Sequence, residues 1–356
     1  MRRDNEINKL HGIHITHNDA DAVGCALVAS KFYDDYDFED STYFCAIGSQ
    51  DKVLKNVLEK DIENNNIPKT IIISDIFLEE ETCEYLEKVA KEHEITLLGF
   101  DHHATNNLNE KYDWFIVNKE KVEDDRCDAK VDISAAKVMM DYYKNKYDCS
   151  FGKCLEIAID MISRYDTWEW KNHPFKHPVP HYSISEDIIA VITKYLGVER
   201  TFKDLYNYYT PSPLVVYSGK IFPELFFTIY DIEKEREERS LSRLDNQVRI
   251  VELFKYTVAI FISTDEYSNA CADYLNNTYP FVDMTMIIYP SSRRLGFRTK
   301  SNKINVGEFA KKYFNGGGHP KASGAVVDDS TMSSVMELYY IIGDSIDEYL
   351  DDSYEY

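Results

Sequence analysis

Three short apolar runs punctuate the first hundred residues: GIHIT (12–16), TIIIS (70–74) and ITLLGF (95–100). Each is brief, continuous and rich in branched residues, the pattern of a strand buried on both faces of a parallel sheet. Between them lie AVGCALVASKFYDDY, DKVLKNVLEKDIENN and EEETCEYLEKVAKEH, with helical periodicity and enough length for crossovers. Strand, helix, strand, helix predicts a doubly wound α/β domain. DISAAKVMMDYYKNKY and KCLEIAIDMISRYD add two more helices. From about residue 200 the chain turns helical and highly charged, ending in DIEKEREERSLSRLDNQ, a solvated connector with little apolar face. VAIFIS, MTMIIYP and RRLGFRT then read as strands and VGEFAKKYF as a helix, the parts of a second, smaller α/β domain. The expected division is a first domain over 1–200, a connector over 201–245, a second domain over 246–345 and an acidic tail over 346–356.

Charge narrows the function. The 356 residues carry a formal net charge of −22. Affinity for nucleic acid rests largely on Lys and Arg neutralising phosphates, so long strands are excluded as partners. Residues 291–321 run against this balance, with eight Lys/Arg and a single acid, Glu308. They form either a solvated face or a basic lip for something short and anionic. Seven scattered cysteines without a CxxC pair fit free thiols in a reducing cytosol. No apolar run approaches the roughly 18 residues of a membrane span, and the N-terminus lacks a signal-peptide core. A cytoplasmic protein with no membrane partner is expected.

The chemistry gathers where the strands end, as it does in open parallel sheets. The first strand runs into THNDADAVG, bringing His17, Asp19 and Asp21; TIIIS runs into Asp75; ITLLGF runs into Asp101, His102 and His103. The helix KCLEIAIDMISR leads to Tyr165, Asp166 and Thr167. Two adjacent histidines pose a problem, because successive side chains of an extended strand point to opposite faces. Only a chain that is already turning could present both at one spot. So many carboxylates at one edge would repel each other without a cation. Mixed Asp/His ligation without thiolate suits Mn²⁺ or Mg²⁺, with imidazole favouring Mn²⁺. Two ions about 3.5–4 Å apart, bridged by one carboxylate, would use the whole set. Singly, each piece has an ordinary explanation: a turn with a cap, a helix N-cap at Asp75, a polar loop. Their occurrence at successive element ends of one domain does not.

In this order, HNDADAVG, SDIF, FDHHAT and RYDTWEW resemble the four metal motifs of the DHH phosphoesterase superfamily. RRLGFRT followed by INVGEFAKKYFNGGGHPKASGA resembles the DHHA1 domain that accompanies them. The likeness spans about 13–326 and is nearest to bacterial oligoribonucleases of the nanoRNase B kind. It implies one metal held by His17, Asp19 and Asp75, and a second held by Asp21, Asp75, His102 and Asp166. Asp75 would be the bridge, His103 would face the scissile phosphate, and Asp101 would orient the histidine pair. Arg298 and Thr299 match the family's Arg-Ser/Thr pair. With Gly316, Gly317, Gly318 and His319, whose glycine N–H groups could cradle an anion, they would hold the distal phosphate or terminal nucleotide.

The expectation is a manganese-dependent phosphodiesterase, a monomer or homodimer, that cuts dinucleotides to about five-mers into mononucleotides, the acidic body rejecting longer strands. A linear or cyclic dinucleotide signal is a second substrate class, a pyrophosphatase or exopolyphosphatase a third reading, and a non-catalytic nucleotide-binding protein a fourth. Trp168 and Trp170 either stack on a base or pack a core edge. His173, His177 and His181 recur every four residues, but Pro174, Pro178 and Pro180 forbid a helix there, so a polar loop is expected.

Overall fold

The computed structural model describes residues 9–103, 106, 111–175, 185–210, 220–263 and 267–353. His177 and His181 lie outside them. The chain divides into two compact units, Met1–Tyr230 and Asp231–Tyr356.

In the first unit a five-stranded parallel sheet is built from β1 (Gly12–Thr16), β2 (Thr42–Phe44), β3 (Thr70–Ser74), β4 (Thr96–Asp101) and β5 (Phe115–Val117), in the order β2-β1-β3-β4-β5. The doubly wound fold expected from the apolar runs is present. β2 and β5 escaped notice because three residues are too few to show a period. The order reverses between β1 and β3, and ligands of such sheets bind where it reverses.

Alternation along the strands supplies both faces. Ile13, Ile15, Ile71 and Ile73 meet α2 (Gln50–Glu63) and α3 (Glu80–His93) through Leu54, Leu58, Cys83 and Leu86. Ile72 and Phe100 face α1 (Ala20–Phe32), α4 (Ala135–Tyr147) and α5 (Lys153–Asp166). A hairpin of β6 (Val122–Asp124) and β7 (Ala129–Val131) precedes α4. After the short α6 (Glu169–Asn172), α7 (Ile188–Leu196) and α8 (Val198–Tyr209) add Ile188, Ile192, Phe202 and Leu205 to the same core as α1. The last piece of this unit begins the helix Glu224–Gln247, which continues into the second.

That second unit is a six-stranded mixed sheet, ordered β12-β13-β11-β10-β9-β8. Its strands are β8 (Arg249–Leu253), β9 (Tyr256–Ile262), β10 (Met284–Tyr289), β11 (Arg294–Arg298), β12 (Gly317–Gly318) and β13 (Ala322–Val326). Helix Ser268–Thr278 joins β9 to its parallel neighbour β10, and helix Val306–Phe314 buries Val306, Phe309 and Ala310. All seven cysteines are free. Among the described residues no helix is long and apolar enough to cross a membrane.

Candidate metal centre

The carboxyl ends of β1, β3 and β4 stand side by side, and each delivers its side chains differently. Beyond β1, Asp19 caps α1, its carboxylate accepting the Ala22 N–H at 3.0 Å and a His17 Nδ1 contact at 2.7 Å. Asp21, in the first turn of α1, is fully buried and accepts the Ala135 and Ala136 N–H groups at 2.9 and 3.3 Å. Those amides are the N-terminus of α4, a natural anion seat. α4 comes this close because of Gly24, where a Cβ would sit 2.8 Å from that of Ala136.

Beyond β3, Asp75 adopts φ 57° while its N–H donates to the Phe100 carbonyl at 2.9 Å. This left-handed turn, tolerated by aspartate better than by most residues, ends the strand at once. The carboxylate is 3% exposed, with Oδ2 3.7 Å from His17 Nδ1 and Oδ1 3.6 Å from His102 Nε2. Asp166, the last residue of α5, approaches His102 Nε2 at 3.3 Å.

β4 ends on Asp101, and here the histidine puzzle resolves. The buried Asp101 carboxylate accepts the N–H of His102 at 2.8 Å and of His103 at 3.3 Å, folding the chain into a turn around itself. It also takes the His103 Nδ1 contact at 2.7 Å and the Asn106 Nδ2 donor at 2.7 Å. The two rings therefore lie 4.5 Å apart rather than on opposite faces. The His102 side chain is 14% exposed and that of His103 50%.

Electrostatics follow from the crowding. Burial, then the neighbouring acids, pushes Asp21 and Asp75 well above the usual carboxylate range. Burial with Asp19 close by raises Asp166 to about 7. Burial, then the charge of His103, lowers His102 to about 4, which leaves a neutral imidazole. The Asp101 hydrogen bond raises His103. Burial opposes ionisation of Asp101, but the same hydrogen bond outweighs it and holds the carboxyl below its ordinary value.

Asp75 Oδ2 and His102 Nε2 are buried with no hydrogen-bond partner among the described residues. Orphaned buried atoms of this kind call for an ion. Ligand atoms fall within 4.8 Å of one another in three groups: His17, Asp19 and Asp75; Asp21, His102 and Asp166; Asp75, Asp101, His102 and His103. An all-oxygen-and-imidazole set with no thiolate fits a divalent cation of the Mn²⁺ or Mg²⁺ type.

Around this centre are residues to which the motifs assigned no metal. Asn106 steadies Asp101. Arg164, 2% exposed, donates to Asp124 (3.2 Å), Glu186 (2.8 Å) and the His173 carbonyl (2.7 Å), pinning the end of α5 that presents Asp166. A cavity of about 300 Å³ opens beside His102 and His103, lined by Asn118, Lys119, Asp132 and Thr167. Their only sequence signal was polarity next to a predicted strand or helix end. Trp168 is 56% exposed at φ 62°, with Lys171 5.0 Å from its ring, whereas Trp170 is half-buried against Tyr165 at 5.7 Å.

In the second unit the glycine run departs from an open anion cradle. The Gly316 N–H donates to the Ala310 carbonyl and the His319 N–H to that of Ala322, while Gly317 and Gly318 form β12 against β13. A Cβ at Gly316 would lie 2.2 Å from the Gly324 carbonyl, and one at Gly318 (φ +140°) 2.7 Å from that of Ala322. A Cβ at Gly317 would meet nothing within 4 Å among the described residues. The Thr299 hydroxyl donates to the Asp283 carbonyl at 2.6 Å and accepts the Ser301 N–H at 3.0 Å, so it is committed within the fold. Arg298 keeps exposed hydrogen bonds to Asn269 at 3.2 and 3.0 Å. Of the basic lip, Lys303 pairs with Asp283 and Lys321 donates to the Ser301 carbonyl, so part of its charge serves the fold.

This combination of a doubly wound sheet, an acid-and-imidazole cluster at its switch point and a trailing mixed-sheet unit defines a class. Residues 254–345 match the DHHA1 domain, which agrees with the resemblance of the four motifs to the DHH phosphoesterase superfamily. The chain is similar to Oligoribonuclease NrnB of Bacillus subtilis (strain 168), with 27% identity over 327 residues, 91% of this chain and 74% of that protein. It is 22% identical over 345 residues to a 3',5'-cyclic-nucleotide phosphodiesterase of Helicobacter pylori, 88% of this chain and 92% of that one. The crystal structure of exonuclease RecJ bound to manganese shares the fold at a TM-score of 0.53 and 10% identity, covering 91% of this chain and 88% of that chain.

Proposed function

We propose that this protein is a manganese-dependent phosphodiesterase with two metal ions that hydrolyses short oligonucleotides, from dinucleotides to about five-mers, to mononucleotides. The observation that carries the reading is Asp75. One buried carboxylate turns Oδ2 toward His17 and Oδ1 toward His102, and Oδ2 and His102 Nε2 have no hydrogen-bond partner among the described residues. In this reading His17, Asp19 and Asp75 hold one ion, and Asp21, Asp75, His102 and Asp166 the other. Such ions supply a nucleophilic oxygen at neutral pH and neutralise charge on the phosphoryl group.

The chain's own groups do the rest. His102, kept neutral by burial, offers a lone pair at Nε2. His103 donates Nδ1–H to Asp101, which favours the imidazolium, and in that form its half-exposed ring would present Nε2–H to a phosphoryl oxygen and stabilise the charge that develops there. Asp101 positions and does not touch substrate. Arg298, Gly317 and His319 would bind the phosphate of the far nucleotide. The relative from Bacillus subtilis supports an oligoribonucleotide substrate. The one from Helicobacter pylori makes cyclic nucleotides the second reading.

The test is a product panel: Mn²⁺-loaded protein with pApA, pGpG, a cyclic dinucleotide, 3',5'-cyclic AMP, a five-mer, a strand of about 24 nucleotides and pyrophosphate. Dinucleotides and the five-mer should yield mononucleotides fastest. A long strand cut as quickly as pApA would sink the length claim. Orthophosphate from pyrophosphate with pApA left intact would replace the reading by a pyrophosphatase.

A further inference from the structure

The segment 231–247, DIEKEREERSLSRLDNQ, reads as a solvated connector and its arginines are exposed, yet three of them border a single cavity. Positions three and four apart share a helix face, and Arg236, Arg239 and Arg243 all line one cavity of about 560 Å³ in the second unit. The rest of the lining is mixed: Leu244 from the same helix and Phe261 and Ile262 from the end of β9 are apolar, and Gln247, Ser263 and Tyr267 are polar or amphipathic. Leu244 and Phe261 are both buried.

The three guanidinium groups are not equally spent. Arg236 is neutralised by Glu233 at 2.6 Å. Arg239 donates Nε to the Glu235 carbonyl at 3.1 Å, a neutral acceptor that leaves its charge uncompensated. Arg243 has no ion-pair or hydrogen-bond partner among the described residues. Like charges one helical turn apart destabilise a helix. Here they persist in a chain with 62 acids and only 40 Lys/Arg, where a partner carboxylate would be easy to supply. None of Arg298, Thr299, Gly316–Gly318 or His319 lines this cavity.

We infer that the cavity is a second binding site, for a nucleoside phosphate. Its phosphate would lie across Arg239 and Arg243, whose planar forks match phosphate oxygens with charge-assisted hydrogen bonds. The heterocycle would rest on the part-exposed Ile262 and Tyr267, and the volume falls within the roughly 300–1,000 Å³ of small-molecule pockets. This site goes beyond the hydrolytic reading and does not depend on it, because binding here needs neither metal nor turnover.

Full-length protein in excess EDTA is titrated calorimetrically with AMP, adenosine and inorganic phosphate. AMP should bind, with adenosine and phosphate each weaker. Arg239→Gln/Arg243→Gln should weaken this AMP site about tenfold or more, the worth of one or two charged hydrogen bonds. Arg239→Lys/Arg243→Lys, keeping charge but losing the fork, should fall between. Arg298→Gln should retain the site. An AMP isotherm unchanged in the double Gln variant, with circular dichroism matching the parent, overturns the proposal. So does a parent that binds no AMP, or binding abolished by Arg298→Gln alone. Because no hydrolysis is read, failure here leaves the phosphodiesterase reading standing, and failure of that reading leaves this one.

Discussion

With φ at 57°, Asp75 stands in the left-handed region, and that turn directs its carboxylate sideways between His17 and His102 instead of along β3. The neighbouring histidines divide by environment. His102 is enclosed and neutral; His103 is half exposed and hydrogen-bonded to Asp101. His102→Ala should therefore weaken Mn²⁺ binding, read by calorimetry, whereas His103→Ala should bind Mn²⁺ as the parent does and lose about 100-fold or more in kcat. Equal loss of metal in both variants would contradict the division. The glycines separate in the same way. Gly318→Ala forces a Cβ to within 2.7 Å of the Ala322 carbonyl and should lower Tm. Gly317→Ala meets nothing within 4 Å, so Tm should hold while KM for pApA rises. An unchanged KM would remove Gly317 from substrate recognition.

At the level of elements, the site depends on two helix contacts that local sequence does not announce. Gly24 on α1 admits α4, and α4 then offers its N-terminal amides to Asp21. Arg164 ties the end of α5 to β6 and to the Glu186 segment, which fixes where Asp166 emerges. The entry to β1 is held electrostatically. His11 bridges Asp37 (2.7 Å) and Asp61 (3.0 Å), and the Asp37 hydrogen bond above all raises it to about 9 from 6.5. A histidine whose folded pKa is raised adds stability that is complete below its unfolded value and is lost as pH climbs through the folded one. The Tm of the protein should thus decline between pH 6.5 and about 9. His11→Gln should lower Tm at pH 6 and flatten that alkaline limb; a parallel pair of curves would show that the bridge adds nothing.

For the whole molecule, metal and protons would compete. Ligands must be deprotonated to bind, and Asp166 titrates near 7 without metal while Asp21 and Asp75 are raised by burial and mutual repulsion. Ligand binding to the native state raises Tm. The Mn²⁺-induced gain in Tm should be large at pH 8, shrink as pH falls through about 7 and vanish near pH 4. A gain independent of pH would mean that Mn²⁺ binds elsewhere. Much of this was readable in advance. GIHIT, TIIIS and ITLLGF are buried strands because branched apolar runs of that length have few other uses, and the acids and histidines after them follow directly. The three-residue strands, the Thr299 hydroxyl bond to Asp283 and the incorporation of the GGG run into a hairpin were not readable, since each depends on a distant partner.

By itself the sequence determined which side chains terminate the strands, which charge the body carries and which superfamily the motifs resemble. These are local properties: strand period, turn chemistry and residue type. Only the tertiary structure decided that β1, β3 and β4 lie adjacent, that Asp101 bends the chain so both histidines meet at one place, and that Asp166 joins them from a helix end. It likewise decided that three arginines of a charged connector border one cavity. Strand order and helix docking are set by non-local burial, and a pattern with a period of two or 3.6 residues carries no record of which distant surface it will meet.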